Sequence, residues 1–409
     1  MLIVAILAGL CLGMKPEQLL KTIETGAGST LGGLALIICL GAVLGKILEE
    51  SGAAERIAVT LINGFGEKNI QWAVLLTGFL IGIPLYYNAG FIILVPLVFM
   101  LAKKTGLPLL YIAIPMAASL STTHCFLPPH PGPVVLVNAF HADMGKTLLY
   151  GLCIAVPAVI IAGPMLGRKL KKISWTAATH EAPAANNKAL PAAFPSFLIA
   201  LLPVMLIAVS VLAENIMPAG PLRTTFLFTG NSTIALLLSV LTAFIYFGIL
   251  QKVKMETQMQ WLNSAISNIA VILLIITAGG VFKQVLTDSG TGIYIASFSK
   301  EWNMPPLVFA WVITALLRVM IGSATVAGIT AAGVVAPLLA DHHVSAELMV
   351  LAVGSGSVFG SHINDSGFWM FKEFFKLSLK QTFLSWTVME TLISVIGLIG
   401  VLVLSMVVS

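Results

Sequence analysis

Charge is what this chain most lacks. Lysine, arginine, aspartate and glutamate together make up 10% of its 409 residues, against 58% hydrophobic ones, and its mean hydropathy is +0.99. Soluble domains carry roughly 25% charged residues, so a water-exposed domain of any size is excluded. Cysteine is scarce as well. Cys11, Cys39, Cys125 and Cys153 stand singly among apolar neighbours, with no CxxC and no Cys/His ligand spacing; this argues against a disulfide framework or a zinc site and leaves buried free thiols as the expectation. Residues 1–13 lack a basic leader and a small-residue cleavage site, so they read as a retained helix and not as a signal peptide. The net charge of +5 does not point to nucleic acid, because the cations gather at the ends of apolar runs, where they set membrane orientation.

What the chain has instead is a succession of apolar runs, each about the ~20 residues that a helix needs to cross a bilayer. The expectation is an all-α polytopic membrane protein. Its two halves repeat. "GAVLGKILEESG" at 41–52 aligns with "GGVFKQVLTDSG" at 279–290, so that Gly41, Val43, Leu48, Ser51 and Gly52 recur as Gly279, Val281, Leu286, Ser289 and Gly290, each pair 238 residues apart (41 to 279). The same offset pairs Ile57 with Ile295, Gly90 with Gly328, Ser119 with Ser357 and His124 with His362. A constant offset over separate segments marks a tandem duplication, the plan of many secondary transporters. The expected division is a first repeat over 1–172, a cytoplasmic linker over 173–194 and a second repeat over 195–409. Residues 231–250 map onto 1–12, and the run at 195–213 maps ahead of Met1. The repeat therefore predicts that one spanning helix is missing from the amino terminus, as an internal start, a truncated gene or a genuinely shorter variant would leave it.

Lys103 and Lys104, the run ending at Lys172, Lys252 and Lys254, and Lys372, Lys376 and Lys380 form the densest cationic clusters. Placed in the cytoplasm, they give the two copies opposite orientations. In the first copy 30–48 runs inward, 71–101 enters and returns, and 108–140 runs outward; in the second 266–286 runs outward, 306–340 is a hairpin open to the outside, and 346–376 runs inward. That is the inverted-topology repeat of alternating-access transporters.

Four stretches cannot be ordinary spans. "GIPLYYNAG" (82–90) and "IGSATVAG" (321–328) form the tips of the two hairpins, while "STTHCFLPPHPGP" (121–133) and "GSHINDSG" (360–367) interrupt the spans 108–140 and 346–376. Proline and glycine clusters at membrane depth persist only where protein encloses the freed backbone. The four stretches are thus expected to converge as two re-entrant hairpins and two broken helices around a polar cavity. Helix amino termini there carry about +0.5 charge each and favour a carboxylate, and the hydroxyl, amide and imidazole groups suit substrate hydroxyls. The expected ligand is a small organic anion. The candidate substrate-binding residues are Asn88, Ser121, Thr122, Thr123, His124, Ser323, Thr325, His362 and Asn364. Asp365 is the candidate proton carrier, since a carboxylate at mid-membrane is costly unless paired, hydrated or protonated. His124 is a second proton-coupling candidate, because imidazole titrates near neutral pH. Plainer alternatives stand beside these: Asp365 as a helix cap, and the histidines as structural hydrogen-bonders. Arg318 either counters a substrate carboxylate or pairs with an acid. Glu390 reads as a buried structural hydrogen-bonder. His124 and His130 lack a HExxH motif and a third ligand, so neither an intramembrane enzyme nor a resident metal or cofactor is expected.

At "STLGGLALIICLGAVLGKIL", "IQWAVLLTGF", "HCFLPPHPGP", "ADMGKTLLYG", "GGVFKQVLTDSG", "GSATVAGITAAGV" and "SHINDSGFWMFK" the sequence resembles the gluconate permease family, the gluconate:proton symporters of bacteria, within the ion transporter superfamily. The resemblance extends over essentially the whole chain. It implies proton-coupled uptake of gluconate or a related sugar acid across the inner (cytoplasmic) membrane, and the superfamily implies an elevator-type transport domain moving against a scaffold, commonly in a homodimer. Two departures stand out. Family members usually have about one more amino-terminal helix, and they usually carry an acid after the two aromatics of the first hairpin tip, where this chain has Asn88. The alternative is the same fold carrying another small carboxylate, such as glycerate, a hexuronate-type acid or D-serine.

Overall fold

The computed structural model describes residues 2–172, 190–301, 303–341 and 344–408. Most of the expected linker, 173–189, lies outside the described residues. Among the described residues every regular element is helical. Leaving aside the short turns Glu67–Asn69, Leu170–Lys172 and Pro337–Asp341, they are in chain order α1 (Leu2–Cys11), α2 (Pro16–Glu50), α3 (Ala53–Phe65), α4 (Ile70–Gly82), α5 (Tyr87–Thr105), α6 (Leu109–Phe126), α7 (Pro131–Phe140), α8 (Met144–Lys169), α9 (Ala193–Ile216), α10 (Pro221–Thr229), α11 (Ser232–Leu250), α12 (Met255–Asp288), α13 (Thr291–Glu301), α14 (Pro306–Ile321), α15 (Ala324–Val335), α16 (Ala346–Gly356), α17 (Ser366–Phe374) and α18 (Leu379–Val408). Eight helical segments among the described residues are long and apolar enough to cross a membrane. The hairpin arms α4, α14 and α15 and the half-helix α16 are apolar but short, as re-entrant and broken elements must be.

The duplication appears element by element at the sequence offset: α2 to α8 correspond in order to α12 to α18. Gly52 and Gly290, at φ +75° and +73°, end the two long helices at equivalent left-handed turns, where glycine carries no steric penalty. Directly after them come α3 and α13, short helices that hydropathy alone does not separate from loops. The long helices themselves exceed the expected spans 30–48 and 266–286. They run for 35 and 34 residues, about 50 Å at 1.5 Å per residue, against a hydrocarbon core of ~30 Å. Pro16 at the first helical position and Glu17 in the first turn start α2 well before its apolar half.

Among the described residues no other pair of helices packs as extensively as α2 and α12. Thr22 donates to Asp288 at 2.6 Å, while Gly26 lies on Gly280 and Val281; the two helices are antiparallel, so the repeats are inverted. Glycine makes this closeness available, because small residues let helix backbones approach where no hydrophobic effect drives association. The same device joins hairpins to broken helices. Gly78 and Gly82 of α4 face Ser119 and Thr123 of α6, and in the second copy the roles reverse, with Gly356 of α16 facing Thr314 of α14. The cysteines are free, but only Cys125 is buried; Cys39 is partly covered and Cys11 and Cys153 are exposed. The outer surface of a membrane protein is itself apolar, so a thiol there needs no burial.

A Cβ at Gly280 would lie 2.0 Å from Thr30 Oγ1 and 3.0 Å from the Gly26 carbonyl, whereas one at Gly28 meets nothing within 4 Å. Gly280→Val is therefore expected to lower stability by about 1–3 kcal/mol, read as a reduced Tm of the purified protein in detergent. Gly28→Ala should leave the melting curve in place.

Candidate functional site

Each hairpin tip is shaped by local chemistry. At the first, Tyr86 takes an extended conformation before α5, and its hydroxyl donates to the Ile38 carbonyl of α2 at 2.9 Å. At the second, Gly322 has φ +83°, and a Cβ there would fall 2.2 Å from the Asn364 carbonyl. Only glycine lets this tip rest on the break between α16 and α17. Ser323 caps α15, accepting from the Val326 N–H. Within the break, Asp365 caps α17 by accepting from the Gly367 N–H at 2.8 Å, and Asn364 donates to the Val319 carbonyl at 2.7 Å, pairing a carbonyl near the end of α14.

Tips and breaks enclose a cavity of about 370 Å³, within the ~300–1,000 Å³ usual for small-ligand sites. The first tip contributes Tyr86, Tyr87 and Asn88, α6 contributes Ser121 and His124, and the second hairpin contributes Arg318, Gly322, Ser323 and Thr325. The second break adds Asn364, Asp365 and Ser366, and α18 adds Trp386 and Glu390. Arg318 is 2% exposed and forms an ion pair with Asp365; Oδ2 of Asp365 also accepts from the Ser361 hydroxyl. A π-turn at Phe383–Thr387 carries Trp386 to the wall. Its indole N–H donates to Ser361 at 2.7 Å, and its ring meets Tyr87 and Phe371 at centroid distances of 5.8 and 5.4 Å. These aromatic contacts, worth about 0.5–1.5 kcal/mol each, tie the first tip to the second break.

Several buried polar atoms on this wall have no partner in the protein: Nε and Nη1 of Arg318, Oη of Tyr87, Nδ1 of His124 and Oε1 of Glu390. Buried polar atoms are nearly always paired. Their concentration around one cavity marks a site that a polar ligand or ordered water completes. The guanidinium offers a fork of donors suited to a carboxylate, and the tyrosine, the imidazole and the Glu390 oxygen suit hydroxyls.

Of the sequence candidates, Asn88, Ser121, His124, Ser323, Thr325, Asn364 and Asp365 lie on the cavity wall. Thr122, Thr123 and His362 do not line it. Thr123 donates to the Leu120 carbonyl at 2.9 Å and packs against Gly82, Thr122 is fully buried inside the protein, and His362 Nδ1 meets the Gly360 carbonyl at 2.8 Å. Consecutive residues on a helix point about 100° apart, so Ser121, Thr122 and Thr123 cannot share one face. Arg318, open between two roles in the sequence, is paired with an acid. Glu390 makes the hydrogen bond foreseen for it, accepting from Ser121 at 2.9 Å, and also stands at the cavity. An unexplained acid in the apolar run "WTVMETLISVIG" was the signal for it. Trp386 had none, since a π-turn leaves no mark in the periodicity.

A multi-pass helical membrane protein with inverted repeats and a central polar cavity belongs to the class of transport proteins, and two solved structures share the fold. The YdaH transporter of Alcanivorax borkumensis, described as having an unusual topology, superposes with a TM-score of 0.68 at 18% identity, covering 96% of this chain and 89% of that one. MtrF of Neisseria gonorrhoeae, described with a class of antimetabolite efflux pumps, gives 0.67 at 18% identity, covering 96% and 85%. The family model described as GntP family permease matches residues 1–407, and the chain belongs to that family. It is similar to the high-affinity gluconate transporter of Escherichia coli (strain K12), 50% identical over 414 residues, 100% of this chain and 94% of that protein. The Gnt-II system L-idonate transporter of the same strain is 44% identical, covering 99% and 93%, and the gluconate permease of Bacillus subtilis (strain 168) is 44% identical, covering 100% and 94%. The protein is thus a permease of the bacterial inner membrane and not an enzyme.

Removing one partner of a buried ion pair strands the other. Arg318→Met should therefore destabilise the protein by about 3 kcal/mol, and adding Asp365→Asn should restore part of the loss. Melting curves of the two single variants and the double variant, read as a mutant cycle, test this; a double variant that melts no higher than Arg318→Met removes the pair from this role.

Proposed function

We propose that the protein takes up gluconate or a related sugar acid in symport with protons. The observation that carries this reading is the Arg318–Asp365 pair on the cavity wall, with two further guanidinium donors unpaired, in a chain half-identical to a gluconate transporter. Arg318 is the one arginine or lysine on that wall and faces two carboxyls, Asp365 and Glu390. Adding a substrate anion while both are ionised sets three negative charges against one positive in a low-dielectric site, which is costly. A proton that enters with the anion relieves the imbalance. Asp365 takes that proton, its hold on Arg318 weakens, and the guanidinium fork turns to the substrate carboxylate. Loss of the proton on the cytoplasmic side returns Arg318 to Asp365 and releases the anion. His124, with one ring nitrogen unpaired, serves as relay or as a hydroxyl partner. Asn88, Ser121, Ser323, Thr325 and Asn364 hold the hydroxyl chain, with Thr123 and His362 pairing backbone carbonyls around it and Thr122 buried behind it.

The same reading has hairpins and broken helices of both repeats, 1–172 and 195–409, travelling together against α2 and α12 in an elevator motion, within a homodimer; its support is the superfamily resemblance. A second substrate reading, another small carboxylate such as glycerate, a hexuronate-type acid or D-serine, is favoured by one observation: the neutral Asn88 on the cavity wall, where the family usually has an acid.

Purified protein in liposomes should accumulate radiolabelled gluconate under an inward proton gradient and lose it on adding an uncoupler. A panel of unlabelled acids in competition separates the two substrate readings. Asp365→Asn should abolish uphill uptake while sparing counterflow exchange; concentrative uptake by that variant at the parental level would refute the carrier assignment.

A further inference from the structure

Glu390 is the one charged side chain of the cavity wall whose surroundings the ion pair leaves unexplained. It sits in α18, 3% exposed, and a single hydrogen bond reaches it, from the Ser121 hydroxyl to Oε2 at 2.9 Å. Oε1 has no partner. Of the donors on the same wall, the Trp386 indole is committed to Ser361 and Nη2 of Arg318 to Asp365, while Nε and Nη1 of Arg318 and the Tyr87 hydroxyl are unpaired like Oε1 itself and make no hydrogen bond to it. A carboxyl oxygen held unpaired in the protein interior is costly, and a purely structural group would have been packed against a donor. An aldonate presents one carboxylate and a chain of hydroxyls, hence one acceptor group for Arg318 and many hydroxyl donors.

We infer that Glu390 is a specificity-determining residue, whose free oxygen accepts a hydrogen bond from one particular hydroxyl of the bound acid while Ser121 fixes the orientation of its carboxyl. The inference rests on the sugar-acid reading above and deepens it. A site built to pair a hydroxyl rejects the analogue that lacks it far more strongly than an apolar pocket rejects a changed alkyl group, so Glu390 is what makes the permease distinguish a polyhydroxy acid from a simple carboxylate of the same length. The other titratable groups on the wall, Tyr86, Tyr87, His124, Arg318 and Asp365, remain in place when Glu390 is changed, which lets its contribution be isolated.

The test measures competition by D-gluconate and by each of its monodeoxy analogues against labelled gluconate, using full-length wild-type, Glu390→Gln and Glu390→Met proteins in liposomes. In the wild type one analogue should compete at least about tenfold more weakly than gluconate, the value of one well-formed hydrogen bond. In Glu390→Met that ratio should fall to within about twofold, through weaker binding of gluconate itself, while Glu390→Gln, whose amide oxygen still accepts, keeps most of the discrimination. Equal weakening of gluconate and every analogue in Glu390→Met means a structural role and overturns the inference, as does a shifted pH profile of uptake with the ratios intact. Failure of D-gluconate to compete in the wild type removes the substrate reading itself, and this one with it.

Discussion

A peptide group left unpaired in hydrocarbon costs several kcal/mol, and this chain interrupts two helices and turns two hairpins where that cost applies. The breaks are closed one group at a time. In the first, the Leu127 N–H returns to the Thr123 carbonyl and the His130 N–H to Leu127, while the His130 ring pairs the Gly82 carbonyl at the end of α4. In the second, Asp365 caps α17 and Asn364 pairs a carbonyl of α14. The side chains that satisfy the backbone are those that shape the cavity or stand beside it. Site and fold therefore share residues, and a change at Asp365 is felt by both.

The duplication is symmetric in backbone and asymmetric in chemistry. Across the 238-residue offset (80 to 318), the counterparts of Arg318, Asp365 and Glu390 are Leu80, Leu127 and Leu152. Every charge of the cavity wall lies in the second copy. The first copy supplies the aromatic tip, the proline-rich break and the Ser121 hydroxyl. Doubling the charges would have put further ions in hydrocarbon at several kcal/mol each, whereas one arginine suffices to hold one carboxylate. The pseudo-two-fold scaffold thus brings four irregular segments to one place, and the two halves differ in which of them carries charge there.

Much of this is legible without coordinates, for identifiable reasons. Hydropathy finds spans because nothing but a helix or a closed barrel can cross the bilayer. The repeat offset locates tips and breaks because Gly52 and Gly290, or His124 and His362, keep register. Three kinds of feature escape. Side-chain direction on α6 decides that Ser121 and His124 face the cavity while Thr123 faces Gly82, and a string of adjacent polar residues does not reveal its own helical phase. The π-turn that brings Trp386 to the wall has no periodic signature. Pairing is also invisible: Arg318 and Asp365 are 47 residues apart on elements whose meeting depends on the close approach at Gly322.

Asn88 bears on how many protons such a wall requires. With an amide there, the wall opposes one guanidinium with two carboxyls; an acid at that position would make three. Each added carboxyl must be neutralised before a substrate anion can enter a cavity of this dielectric. On the proposed reading, the amide lowers the proton requirement by one relative to a wall with an acid at 88, and leaves the exchange of Arg318 between Asp365 and the substrate as the step that couples the two fluxes. The amide also donates where a carboxylate only accepts. On the same reading Asn88 pairs with a substrate hydroxyl oxygen or carboxylate, so that a position at the first hairpin tip that would otherwise titrate serves recognition instead.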